Sequence, residues 1–244
     1  MKTIDINCDV GEGLENEAEI LPYISSCSIA CTGHAGTIKS IDETIRLAKL
    51  NNVKIGAHPS FPDQDNFGRK FLKMPSKALQ ESLEFQINIL KTRAGLQGKK
   101  LNHIKTHGAL YNASAVDIVI AQTVINAIKN TVEDVFLYVP FNSKIEKLAL
   151  LNNIPIKYEV FIDRNYNDDL TLVSRSQSNA IITKPKKAFD HVFTMIDEGK
   201  VKTILNRNIS IKANTYCIHG DNKNVLYILK YISQELISKG FEIA

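Results

Sequence analysis

The sequence predicts an α/β fold built on parallel strands, and three observations carry that expectation. Seven short apolar runs alternate with longer amphipathic stretches from one end of the chain to the other, and no Pro-, Gly- or Ser-rich linker interrupts them. Such alternation argues for strands joined by helical crossovers. Residues that carry chemistry recur just past the strand runs, where parallel α/β folds place their functional groups. A closed barrel and a doubly wound sheet both satisfy the pattern. At 244 residues the chain reads as one domain over 1–244.

The expected strands are 3–6, 28–31, 53–57, 103–106, 135–139, 156–161 and 215–218, and the expected helices are 38–50, 76–94, 114–130, 142–152, 185–198 and 224–238. In the last helix Val225, Leu226, Ile228, Leu229, Ile232, Leu236 and Ile237 follow the i, i+3, i+4 rhythm of an apolar stripe. Lys239-Gly240 then gives a basic residue and a glycine stop. Lys184-Pro185 opens the helix before it and Asp197-Glu198-Gly199 closes it. The stretch 161–178 is polar and aperiodic, which predicts a long loop across one end of the fold.

Composition narrows the function classes. With 44% hydrophobic residues and 30 basic against 26 acidic side chains, the chain can bury a large core and has no clustered basic stripe of the kind nucleic acid demands. The N-terminus lacks a signal-peptide pattern, and no apolar run approaches the roughly 18 residues of a membrane span. Cys8, Cys27, Cys31 and Cys217 sit in or beside apolar runs, as reduced buried thiols do. These features predict a cytoplasmic protein without nucleic-acid or membrane partners.

The strand ends supply the candidate site. Asn7, Asp9 and Glu12 follow the first strand, and His34 lies in Thr32-Gly33-His34-Ala35-Gly36 after the second. His58 and Arg69 follow the third. The fourth leads into Lys105-Thr106-His107-Gly108-Ala109-Leu110-Tyr111-Asn112, and Asp163, Arg164 and Arg175 come after the sixth. The seventh ends in His219-Gly220-Asp221. One strand-end histidine most often satisfies a backbone group; four at one address, with Asp9 and Asp221, point to a site. Only six of the basic residues are arginines, and three of them, Arg69, Arg164 and Arg175, fall in these loops. A guanidinium grips a carboxylate or phosphate through two parallel hydrogen bonds, which suggests an anionic ligand. His103 and His191 read as structural or solvated. No G-x-S-x-G, HExxH, P-loop or GxGxxG motif is present. A divalent metal stays open, because single ligands from separate strands can converge without a tight spacing motif.

The blocks Asn7-Cys8-Asp9-Val10-Gly11-Glu12-Gly13, Gly56-Ala57-His58-Pro59, Lys105 through Asn112, Asp163-Arg164-x-Tyr166, Leu172 through Gln177 and Ile218-His219-Gly220-Asp221 together resemble the LamB/YcsF family, in the family's order, over nearly the whole chain. The resemblance implies an irregular seven-stranded (β/α) barrel like those of glycoside hydrolases and deacetylases. It further implies 5-oxoprolinase activity: opening of the lactam of 5-oxo-L-proline to L-glutamate, with ATP, accompanied by Mg2+, hydrolysed to ADP and phosphate. B and C partner subunits are implied too, and a homo-oligomer is compatible with it. Within that pattern the family commonly has glycine where this chain has Thr32, Ser60, Asn66 and Leu170, and phenylalanine at Gly33. For such a reaction Asp9 or Asp221 is expected as the base, with His34, His58 and His107 as acid or anion-stabilising groups. Asn7, Glu12, Arg69, Lys105, Tyr111, Asn112, Asp163, Arg164, Arg175 and His219 are expected to hold substrate. Two other readings compete: a metal-dependent deacetylase or amide hydrolase, and a non-catalytic lactam-binding protein.

Overall fold

A computed structural model describes residues 2–244. In chain order the elements are β1 (Lys2–Ile4), β2 (Ile6–Val10), α1 (Glu17–Ile20), β3 (Ser26–Ala30), α2 (Ile38–Leu50), β4 (Lys54–His58), α3 (Ser76–Leu96), β5 (His103–Ile104), α4 (Gly108–Val116), α5 (Ile118–Thr131), β6 (Phe136–Val139), α6 (Lys144–Leu151), β7 (Ile156–Phe161), α7 (Pro185–Glu198), β8 (Lys200–Lys202), β9 (Asn208–Ser210), β10 (Thr215–His219), α8 (Val225–Ser238) and β11 (Phe241–Ile243). Seven strands close into a barrel in the order β10-β2-β3-β4-β5-β6-β7, every neighbour pairing parallel. The barrel, not the doubly wound sheet, is the solution adopted.

Local chemistry explains the boundaries. Thr37 and Ser40 form a reciprocal capping box at the start of α2, and Ser143 and Glu146 do the same for α6. α7 begins with Pro185 and ends on left-handed Gly199, as expected from the residue order. α8 buries Val225, Ile228, Leu229, Ile232 and Leu236, each worth about 1.5–3 kcal/mol relative to exposure. The expected helix over 114–130 is in fact two, because the Asp117 side chain accepts from the amides of Val119 and Ile120 and starts a new helix. The two meet at a bend of 115°. Among the described residues no single helix is long and apolar enough to cross a membrane; only this bent pair passes such a test of length and composition.

The expected first strand, 3–6, divides. β1 leaves the barrel to pair with β11, and the barrel strand proper is β2, so Asn7 and Asp9 lie within a strand instead of after it. The polar alternation Asp5, Asn7, Asp9 looks like a strand ending, yet the barrel interior is itself polar. At its base Asp5 accepts from Thr215 (2.7 Å), Ser26 (3.2 Å) and Lys157 (2.8 Å), and Ser26 reaches the Tyr138 hydroxyl at 3.3 Å. One layer up, Asn7 donates to Thr215 (2.8 Å), and Ser28 meets His103 Nε2 at 3.1 Å. His103 therefore belongs to β5 and to the barrel filling, stacked on Tyr138 with ring centres 4.0 Å apart. Gly56 permits this, since a Cβ there would strike the His103 ring. All four cysteines are buried and free; burial pushes the Cys31 thiol up to about 12.

Candidate active site

At the carboxyl ends of the barrel strands lies a cavity of about 630 Å³. Its floor is a buried charge cluster. Lys105 donates to Asp9 Oδ1 (2.8 Å), and the same ammonium lies 2.9 Å from Glu159 Oε1, off the axis a hydrogen bond needs. It also sits 2.9 Å from Cys217 Sγ. Burial alone would strip the proton from Lys105, but the Asp9 charge, with the Cys217 and Glu159 groups, holds its pKa well above the ordinary lysine value. Burial likewise opposes charge on Asp9; His58 and then Lys105 overcome it and keep the carboxylate ionised. Glu159 and Tyr111 are neighbours on this floor, and neither the Glu159 oxygens nor the Tyr111 hydroxyl meets a well-aligned hydrogen-bond partner among the described residues. Both residues line the cavity.

Beside this floor stand three imidazoles. His34 and His107 stack with ring centres 3.6 Å apart, and His58 meets each edge-on. His58 Nε2 is 2.9 Å from His107 Nδ1 and 3.4 Å from Asp9 Oδ2. Glu12 Oε1 is 3.0 Å from His34 Nε2 and 3.5 Å from His107 Nδ1. One ligand atom from each of Glu12, His34, His58 and His107 lies within 4.8 Å of all the others, so these four could hold a metal ion. Burial, then His34 and His58, push the His107 pKa well below the usual imidazole value, and burial lowers His34 as well. Both rings are neutral at pH 7. The packing behind them is exacting. Gly68, with φ 60°, has His34 Cβ 2.9 Å and His107 Cδ2 3.0 Å from where its own Cβ would be, so only glycine fits. A Cβ on Gly33 would run into the Gln86 side chain and the Ser60 hydroxyl.

The opposite wall belongs to β7, β10 and the long loop. His219 Nδ1 is 2.8 Å from Asp163 Oδ1, whose other oxygen accepts from Asn222 (3.0 Å). This pairing puts the proton on Nδ1 and leaves Nε2 as the basic nitrogen. Burial opposes charge on Asp163 too, but His219 and Asn222 hold its carboxyl below the ordinary value. At the rim Arg69 and Arg175 both donate to Asp221 Oδ2. The segment expected as a loop does cover this end; Asp169 through Ser176 line the cavity. Arg164 is buried beneath it and donates to the Val173 (2.6 Å) and Ala180 (3.3 Å) carbonyls. Burial and the nearby Arg175 pull the Arg164 pKa down to about 10.

Of the residues singled out from sequence, Asp9, His58, Arg69, Lys105, His107, Tyr111, Asn112, Arg164, Arg175 and His219 line the cavity. Glu12 and His34 stand behind the histidines, Asp163 behind His219, and Asn7 below Lys105, where it bonds Thr215. Asp221 is occupied by two arginines and does not line the cavity. His191, expected to be structural or solvated, has a buried Nε2 without a partner and lies outside the cavity. Glu159 and Phe161 join the site without being among the residues expected from sequence. Glu159 is the one acid of its strand, Ile156–Phe161, and an isolated charge in a buried strand is the signal that could have found it.

The model of the LamB/YcsF family matches residues 4–244. Relatives named as the A component of 5-oxoprolinase include one from Pyrococcus horikoshii, 35% identical over 98% of this chain and 96% of that one, and one from Bacillus cereus, 37% identical over 100% and 98%. The crystal structure of a lactam utilization protein from Thermus thermophilus aligns with a TM-score of 0.92 at 31% identity, covering 100% of this chain and 99% of that one. A family 4 carbohydrate esterase from Streptomyces lividans aligns with a TM-score of 0.51 at 10% identity over 100% and 92%, which shows a shared deacetylase-like barrel and nothing of its chemistry.

Proposed function

Because this chain belongs to the LamB/YcsF family, we propose that it is the A component of an ATP-dependent 5-oxoprolinase that opens 5-oxo-L-proline to L-glutamate together with B and C subunits. The observation that carries this reading is the cavity floor, where Glu159, ion-paired to Lys105 but without a hydrogen bond, and the Tyr111 hydroxyl face the same space as His58, His107 and the charged Lys105. A five-membered lactam offers what these groups lack. Its N–H is a donor for Glu159, and its carbonyl oxygen accepts from Tyr111 or Lys105. Its carboxylate suits Arg69 and Arg175 at the rim, in competition with Asp221.

A lactam is a resonance-stabilised amide, so its carbonyl needs activation. Transfer of the γ-phosphoryl group of ATP, carried with Mg2+, to the carbonyl oxygen supplies it and releases ADP. Water then adds to the activated carbon, and His219, oriented by Asp163, takes its proton. The ring C–N bond breaks as the nitrogen is protonated. A second water cleaves phosphate from the resulting acyl phosphate, leaving glutamate. Lys105, Arg69 and Arg175 balance the negative charge that develops. The cluster of three histidines and Glu12 favours a second reading, direct hydrolysis of a related cyclic amide without ATP.

Glutamate release from 5-oxoproline by the reconstituted complex, with this chain present or omitted and with ATP present or omitted, tests the proposal. Release is expected only with both. Full release without this chain would sink the assignment, and release without ATP would select the second reading.

A further inference from the structure

The hydrogen bonds around the histidine cluster fix where its protons are. His58 Nδ1 is 2.8 Å from the Lys105 carbonyl, and His107 Nε2 is 2.9 Å from the Phe67 carbonyl. A carbonyl only accepts, so each of these nitrogens carries its ring's proton. The remaining nitrogens, His58 Nε2 and His107 Nδ1, face each other at 2.9 Å, and with one proton per ring both present bare lone pairs. Two lone pairs at that distance repel unless something electron-poor lies between or beside them. The cluster also contains a buried carboxylate without a fixed cation. The Glu12 side chain is 4% exposed, and among the described residues its charged-group contacts are His34, hydrogen-bonded to it at 3.0 Å, and His107 at 3.5 Å. An uncompensated buried carboxylate is costly.

From this arrangement we infer that Glu12, His34, His58 and His107 bind one divalent transition-metal ion. The donor set of three imidazoles and one carboxylate suits zinc or its neighbours over magnesium or calcium, which prefer all-oxygen shells. In tetrahedral coordination with bonds near 2.0–2.2 Å, ligand atoms stand roughly 3.3–3.5 Å apart; the closest pairs here span 2.9 to 3.5 Å. The two backbone carbonyls that accept from His58 and His107 act as the outer partners that aim metal-bound imidazoles. His58 and His107 also line the cavity while Glu12 and His34 close the back, so an ion bound here borders the substrate space and can polarise a carbonyl or a water. The inference rests on the geometry of these side chains and not on the identity of the lactam.

A shared proton is the competing occupant, and metal uptake separates the two. The full-length chain is stripped with chelator, dialysed, and titrated with Co2+ and then Zn2+. One equivalent of Co2+ is expected, with visible d–d absorption of a nitrogen- and oxygen-ligated ion that Zn2+ bleaches. Glu12→Gln and His107→Ala should each weaken uptake by more than about 100-fold, beyond the loss of an outer partner, while Arg175→Gln keeps it. Circular dichroism checks that each variant folds. If His107→Ala does not fold, the rise in wild-type Tm with added Zn2+, absent in Glu12→Gln, gives the same answer. Binding well below one equivalent, or equal uptake by the ligand variants, would overturn the inference. Both measurements are independent of glutamate release, so this site and the lactam reading can fail separately.

Discussion

The interior of this barrel is polar at both ends, and the two ends differ in how completely its groups are paired. At the base, both Asp5 oxygens, Ser26, Thr215, Lys157 and the Tyr138 hydroxyl are joined in one network, and His103 Nδ1, one layer up and away from the cavity, is the exception, a buried atom without a partner. At the mouth, Glu159, Tyr111 and His34 Nδ1 have buried atoms without partners, and two imidazole nitrogens face each other. The chemistry of the residue types is similar. Polarity alone therefore does not mark a functional site; a surplus of hydrogen-bonding capacity that opens into a cavity does. A closed network contributes stability and a unique register, whereas an open one is held in place by the surrounding fold and offers its spare capacity to a ligand.

The strongest way to break this contrast is to truncate the mouth histidines. In the reconstituted complex His58→Ala and His107→Ala are each expected to lower ATP-dependent glutamate release by about a thousandfold, roughly 4 kcal/mol of barrier, with the protein still folded by circular dichroism. Near-normal turnover in either variant would show that the open network is not the reaction centre.

His191 sharpens the comparison by separating a buried orphan atom from a functional one. Burial drops its pKa to about 4, against about 6.5 in an unfolded chain. Between those values the unfolded state binds the extra proton, so stability is whole above about pH 6.5 and falls as pH drops towards 4. The loss from this group is at most about 3 kcal/mol. Urea unfolding of wild type and His191→Phe at pH 7 and at pH 4.5 measures it: the variant should show the smaller acid loss, while glutamate release stays within a few-fold. An equal acid loss in both proteins would show that His191 does not set the acid limit of stability.

The base makes the complementary prediction. Asp5→Ala leaves Lys157 and Thr215 without their acceptor, at a cost of about 2 kcal/mol, discounted because Lys157 is partly exposed. Turnover per folded molecule should be unchanged. A large loss of turnover at full folding would tie the base to the site and dissolve the distinction.

Much of this is legible in the sequence, for identifiable reasons. The helices with a clean apolar stripe and a glycine or proline stop, such as α7 and α8, lie where periodicity puts them. Residues at or just past strand ends, His58, His107 and His219, gather around one cavity. The polar barrel lining is not legible, because Asp5, Asn7, Ser26, Ser28 and His103 break the continuous apolar run that parallel strands usually show. For the same reason the pattern ends β2 too early and gives Glu159 no prominence. The pairing of His219 with Asp163, across 56 positions, and the capture of Asp221 by two arginines depend on how the loops fold back, which no local pattern encodes.

The smallest effect concerns backbone strain, and it again divides base from mouth. At the base, the short turns after helices place Asn52, Asp134 and Asn153 in left-handed conformations with φ of 56–57°, residues that tolerate that region. At the mouth the same region is occupied by Thr32 (φ 73°), Phe67 (φ 54°) and Leu170 (φ 66°). The left-handed conformation costs such a side chain about 1–2 kcal/mol, and glycine's extra chain entropy gives back about 0.5–1. Thr32→Gly is therefore expected to stabilise the protein by about 0.5–1 kcal/mol, a rise of roughly 1–4 °C in Tm, while Asn52→Gly at the base changes little. Leu170 lines the cavity, so Leu170→Gly should give a similar gain together with a raised KM for the lactam, through lost contact and a looser loop. If Leu170→Gly stabilised without touching KM, the strain would be incidental; if it raised KM without stabilising, the Leu170 side chain would serve contact alone. A gain in stability with a weaker KM is the result that makes the mouth, unlike the base, a place where conformational strain is held in exchange for a formed binding surface.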